Sequence, residues 1–225
     1  MFLTQDKALK RVVQERLRGD RKRALQKAMS ALEKWPDDLE IAMEAIQLCL
    51  DIADFKEAVS LMKDAIRRHP RSRQQLISIA RETLHASFNP FLASFVIEFL
   101  IHYRDFESAR HTMRMGPASY IEDMIKRSET RSKGFKEGGQ KKSVSYTENE
   151  ILLGLLYLES RRWAEAAEPL GCALKSLPDE AQVIGAALLE AERECRNDSR
   201  IQYYLGIASI LLSHAEKAEA RFFFS

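Results

Sequence analysis

Glycine and proline are scarce in this chain, with nine and six among 225 residues. So few chain breakers beside plentiful Ala, Leu, Glu, Lys and Arg favour helices over strands. Cysteine is scarcer still. Cys49, Cys172 and Cys195 are odd in number and contain no C-x-x-C pair, which argues against a disulfide framework, suits a reducing compartment and lacks the paired ligands of a zinc site. Long apolar runs are missing as well. "ILLGLLYL" and "IASILL" fall far short of the roughly 18 residues that span a bilayer. The opening "MFLTQDKALKRVV" has no apolar run of signal-peptide length, so the expectation is a cytoplasmic protein with no membrane insertion. Nor is there a charge excess of one sign. Thirty-five Lys and Arg against 33 Asp and Glu leave a formal charge of +2, too little for a whole-molecule field that draws nucleic acid or acidic lipid.

What is present is 45% apolar and 30% charged residues, the composition of a folded all-α chain of one or two domains that can bury a core without staples. Catalytic signals are weak. His69, His85, His102, His111 and His214 are scattered, and only His102 and His111, nine residues apart, invite thought of a ligand pair. His69 follows Arg67 and Arg68 at a helix end, where cations complement the dipole. No Ser or Cys stands in a nucleophile elbow, and "KEGGQKK" has neither P-loop spacing nor a preceding strand. The expectation is a non-enzyme with no cofactor and no metal.

A repeat organises the chain instead. "GDRKRALQKAMSALEKWP" ends at Pro36 and "ADFKEAVSLMKDAIRRHP" at Pro70. The prolines, Ala24 and Ala58, and Ala31 and Ala65 are each 34 residues apart. The stretch 147–178 carries Leu153-Gly154-Leu155-Leu156-Tyr157, then Trp163, Ala166, Ala173 and Pro178. This pattern at this period resembles the tetratricopeptide repeat (TPR) family. Small residues sit where helices approach closely, large ones fill the groove, and proline stops the second helix.

Weaker copies keep Phe55, Ala58, Met62, Ala65 and Pro70 in one unit, and Gly19, Ala24, Ala28, Ala31 and Pro36 in another. A shortened unit keeps Phe106, Ala109 and Met113, and the last opens with Tyr204-Leu205-Gly206 and Ala218. "RSRQQLISIARETLHAS" and "DEAQVIGAALLEAERECRND" each read as a lone amphipathic helix. Ala58 to Ala166 is 108 residues and Ala109 to Ala218 is 109, which indicates an internal duplication. The implied fold is an α-solenoid of antiparallel helix pairs, a TPR-like right-handed superhelix.

The expected domains are an N-terminal array over 1–125, a flexible basic linker over 126–146, and a C-terminal array over 147–225 that is cut short. Residues 128–145 are poor in apolar side chains, and the following helix is expected to start at Thr147, with Glu150 completing a capping box. The linker carries Lys126, Arg127, Arg131, Lys133, Lys136, Lys141 and Lys142 against Glu129 and Glu137. It reads as a solvated connector, with an arm for nucleic acid or an acidic partner as the alternative. "RLRGDRKR" reads as a solvent face without aromatic residues for base stacking.

The resemblance implies a non-catalytic scaffold that holds a peptide or amphipathic helix of a partner protein in a groove; nucleic acid is the less expected partner. The family's groove positions fall on Met43, Gln47, Leu50 and Asp51, on Ile151, Leu155, Leu158 and Glu159, and on Tyr203, Ile207 and Ile210. That lining is apolar with a few carboxylates and suits a hydrophobic or amphipathic segment. Ile151 and Leu155 stand where chaperone-binding members carry a carboxylate clamp, so that clamp is not expected. The groove is either open to a ligand or covered by the lone helices. Phe222, Phe223 and Phe224 end the chain without a polar cap, so the expectation is a fragment of a longer repeat protein, with docking of these phenylalanines as the alternative. A helical docking part of a larger enzyme is a further alternative.

Overall fold

Every element of the computed structural model is helical. It describes residues 4–139 and 143–223, with side chains of the last helix described as far as His214. The elements are α1 (Gln5–Leu17), α2 (Arg21–Lys34), α3 (Leu39–Asp51), α4 (Phe55–Arg68), α5 (Arg73–Ala86), α6 (Pro90–His102), α7 (Phe106–Arg114), α8 (Ala118–Glu137), α9 (Val144–Glu159), α10 (Trp163–Ser176), α11 (Ala181–Glu194) and α12 (Ser199–Phe223). Short 3-10 turns, Pro70–Ser72 and Pro178–Glu180, precede α5 and α11. Among the described residues there is no strand, and no helix is long and apolar enough to cross a membrane. The chain divides into two compact units, Met1–Val96 and Ile97–Ser225.

Two kinds of turn recur along the chain. After α1, α3, α6 and α9 comes one residue in the left-handed region: Gly19 (φ 84°), Ala53 (60°), Arg104 (64°) and Arg161 (59°). In each case the next residue's N–H reaches back to a carbonyl five positions earlier: Asp20 to Glu15, Asp54 to Cys49, Asp105 to Leu100 and Arg162 to Tyr157, at 2.8–3.2 Å. This closes the helix as a Schellman motif. Asp20, Asp54 and Asp105 then cap the following helix, their carboxylates accepting from the N–H groups of Arg23, Glu57 and Ser108.

The second turn follows α2, α4, α10 and α11. Trp35, His69, Leu177 and Cys195 share φ between −125° and −133° and ψ between 59° and 71°. Their carbonyls accept from Asp38, Ser72, Glu180 and Asp198, three residues on. Pro36, Pro70 and Pro178 follow the first three and bar them from the helical region. Cys195 adopts the same conformation without a following proline.

The register repeats on a larger scale. α4, the 3-10 turn at Pro70–Ser72 and α5 recur as α10, the turn at Pro178–Glu180 and α11, each start and end displaced by 108 residues. The lone helices expected after the closing prolines are therefore equivalent elements. Neither stands apart, since α5 packs against α3 and α4, and α11 against α10 and α12.

Small residues carry the close contacts. In the first unit Ala24, Ala28 and Ala45 form a core with Val12 and Leu48, while Ala8, Ala31 and Ile41 form another beside Trp35. Ala58, Met62 and Ala65 are buried and Phe55 is half-buried. In the second unit Phe106, Ala109, Leu153, Tyr157, Ala166, Leu170 and Ala173 are buried, and Trp163 is half-buried. Pro36, Pro70 and Pro178 are exposed. A Cβ on Gly154 would lie 2.6 Å from Leu170 Cγ, and one on Gly171 would lie 2.2 Å from the Tyr204 ring. Gly206 differs from the expectation of close packing. It is exposed and faces open space, because no described helix approaches it. Ala218 and Phe222 to Phe224 lie outside the residues whose side chains are described. Pro169 sits within α10, where it withholds one N–H from the helix.

The expected flexible linker is corrected in part: residues 126–137 continue α8, which packs on α9. Composition misleads here because the contact is made by small polar residues. Ser128 and Ser132, four apart and buried, face α9; the Ser128 carbonyl accepts from Asn149 Nδ2 (3.0 Å), and Ser132 Oγ donates to Glu150 (2.5 Å). The Phe135 ring meets Tyr146 edge-on. α9 also starts earlier than expected. Ser143, not Thr147, is its N-cap, accepting from the Tyr146 N–H, and Glu150 is buried rather than in a capping box. Lys141 and Lys142 lie outside the described residues.

Candidate functional site

α9 is the central helix of the second unit. From Tyr146 to Leu158 only Glu148 is less than fully buried, because α7, α8, α10 and α11 all contact this helix. Of the two alternatives for the groove at this repeat, these positions show the covered one: Ile151, Leu155 and Leu158 are buried, and α11, one of the two lone helices, is among those packed on α9. Ile151 and Leu155 instead form the floor of a cleft of about 310 Å³ between α7, α9 and α11, with Phe106, Leu170, Ile184 and Ala187 around them. Val183, 44% exposed, and Ala186 form its lip.

The rim is charged and internally satisfied. Arg110 donates twice to Glu190 (2.6 and 2.8 Å) and through Nε to Glu159 (2.5 Å). Arg114 grips the same Glu159 at 2.7 and 2.9 Å. Bidentate guanidinium contacts of this kind fix geometry as well as charge. The Glu190 carboxyl is held below its ordinary range by its hydrogen bonds from Arg110, and the Arg110 guanidinium is raised in turn. Glu107 adds an exposed carboxylate to the rim. The cleft lies at the low end of the roughly 300–1,000 Å³ range of ligand pockets. It offers room for a few inserted apolar side chains, with a rim whose arginines are already engaged.

The other groove positions are differently placed. In the first unit Met43 and Gln47 are half-buried and Leu50 is buried. Gln47 donates to Asp51 (3.0 Å), and Arg16 bridges Asp51 and Glu44 (3.3 and 2.9 Å). On α12 Tyr203 and Ile210 are exposed and Ile207 half-buried, with Lys175 5.6 Å from the Tyr203 ring centroid.

Chemistry-bearing side chains elsewhere are accounted for structurally. Burial, reinforced by Asp54 and Glu57, pushes the Cys49 thiol up to about 12, and burial also raises Cys172. Neither is a thiolate at neutral pH. His102 Nδ1 meets Glu148 at 2.9 Å on the surface. Among the described residues no three His, Cys, Asp or Glu are grouped to hold a metal ion.

No sequence motif marks Arg110, Arg114 or Glu190. The two arginines are one helical turn apart, but their partners lie 45 to 80 residues away in sequence, beyond the reach of local spacing. The aspartate caps did leave a signal, since Asp20, Asp54 and Asp105 each stand four residues before Ala24, Ala58 and Ala109. Neither a scan against protein-family models nor a search of curated proteins finds a match to this chain.

Proposed function

We propose that this chain is a TPR-like helical-repeat scaffold that binds an amphipathic helix or extended peptide of a partner protein, without catalysis, at the α7–α9–α11 cleft. The observation that carries the repeat assignment is the recurrence of the two turn geometries, together with the 108-residue displacement that maps α4 and α5 onto α10 and α11. Separate evolution of each turn would not keep that register. The binding assignment rests on an apolar floor opening at an exposed valine, beneath arginines already paired. Such a site rewards insertion of apolar side chains and leaves orientation to the rim.

Three unpaired cysteines accord with work in a reducing compartment, the cytoplasm. The nucleic-acid reading of 126–146 loses support from the engagement of Arg131 with Glu98 (2.8 Å) and of Arg127 with the Asp123 carbonyl. The test is charge insertion at the lip. Val183→Glu with Ala186→Glu removes partner binding while leaving the helical circular dichroism unchanged. Undiminished binding by the folded double variant rules the cleft out.

A further inference from the structure

The first unit carries a second cleft, of about 510 Å³, between α1 and α2, and its character is opposite. Arg11, Arg23, Lys27 and Lys34 line it, and among the described residues no carboxylate does. Lys27 is occupied by Glu15, buried beneath it at 2.5 Å. Arg11, Arg23 and Lys34 make no ion pair among the described residues, and all three are exposed. Between Gln5 and Lys34 the sequence sets ten Lys and Arg against four Asp and Glu, a formal +6 where the whole chain carries +2. The positive charge is thus concentrated on this helical hairpin.

The dimensions select the partner. Arg23 and Lys34 are eleven positions apart on α2, about 16 Å along the axis, a distance that about five residues of extended peptide cover. The half-buried Trp35 at one end offers an apolar contact. A single-stranded nucleic acid is a poorer fit, because its binding sites present successive aromatic platforms and, among the described residues, Trp35 is the one aromatic side chain lining this cleft.

We propose that the α1–α2 cleft docks an acidic segment of a partner protein. Its carboxylates pair with Arg11, Arg23 and Lys34 while an apolar side chain rests on Trp35. This rests on neither the repeat assignment nor the cleft of the second unit.

The test uses the full chain and a short fluorescent peptide of alternating glutamate and leucine, read by polarisation at physiological salt. The unaltered protein binds it and does not bind the glutamine–leucine counterpart. Arg23→Glu with Lys34→Glu weakens binding at least about tenfold. Lys10→Glu with Lys22→Glu, the same charge change on exposed positions outside the cleft, leaves the affinity within about twofold. Absence of peptide binding by the unaltered chain overturns the proposal, as does equal loss in both charge-reversed pairs. Displacement of the peptide by an equal concentration of single-stranded DNA reassigns the cleft to nucleic acid and also overturns it.

Discussion

The backbone of Gly154 in α9 lies directly against the Leu170 side chain of α10, so close that a Cβ would stand 2.6 Å from Leu170 Cγ. Two effects oppose each other when Gly154 becomes Ala. Helix propensity favours alanine by about 1 kcal/mol, while overpacking against an immobile neighbour costs about 1–3 kcal/mol. Leu170 is 1% exposed and cannot move aside, so the clash wins and Gly154→Ala lowers stability. In a Leu170→Ala background the sign reverses, and the same change stabilises by up to about 1 kcal/mol. Denaturant unfolding of the four proteins reads this directly.

The left-handed turn residues give a second prediction. Ala53 and Arg161 hold φ of 60° and 59° at exposed positions, a conformation disfavoured for side-chain-bearing residues by about 1–2 kcal/mol. Replacing either by Gly relieves this at some cost in unfolded-chain entropy. The expected net gain is about 0.5–1 kcal/mol. Ala53→Val is expected to destabilise, since a β-branched residue tolerates this region least. Thermal unfolding midpoints check both directions.

The caps give a third. Asp54 accepts the Glu57 N–H at 3.2 Å, and Asp54→Ala is expected to cost about 1 kcal/mol. Asp54→Asn keeps the acceptor and loses only a few tenths. Equal losses in denaturant unfolding would show that the cap bond is not what holds this turn.

Buried Glu150 makes stability depend on pH. Burial is the main cause raising its carboxyl above the ordinary 4.5, against the opposing bond from Ser132. A raised group favours folding most below its unfolded value, and that contribution fades as pH rises through the folded value. Stability is therefore expected to increase as pH falls from neutral toward 4.5. Glu190, lowered chiefly by Arg110, acts in the opposite sense, and its contribution is lost as pH drops below the ordinary range. Glu150→Gln flattens the first slope and leaves the second; Glu190→Gln does the reverse. Unfolding free energies followed across mildly acidic pH resolve the two slopes.

Much of the architecture was legible because it rests on local rules. Alanine spacing, the closing prolines and the Leu-Gly-x-x-Tyr stretch marked α2, α4, α9 and α10, and the 108-residue offset anticipated the match of α5 with α11. What local rules miss is polar contact between helices distant in sequence. Ser128 and Ser132 are indistinguishable from linker serines until Asn149 is seen to donate to the Ser128 main-chain carbonyl and Glu150 to accept from the Ser132 hydroxyl. The groove stayed undecided between open and covered for a related reason: helix periodicity tells which residues share a face but not which other helices pack on it, and here α7 and α11 lie against α9 around Ile151 and Leu155. The charged rim was invisible because Arg110 and Glu190 are 80 residues apart.

Photo-crosslinking from the lip of the α7–α9–α11 cleft, followed by affinity measurement with the purified crosslinked protein, tests the binding proposal most directly. A crosslinking residue at position 183 or 186 captures one protein, while the exposed neighbour Gln182, outside the cleft, does not. Val183→Glu then weakens the purified complex by at least about tenfold. Equal capture from position 182, or an affinity untouched by Val183→Glu in the folded protein, would contradict a partner seated in this cleft.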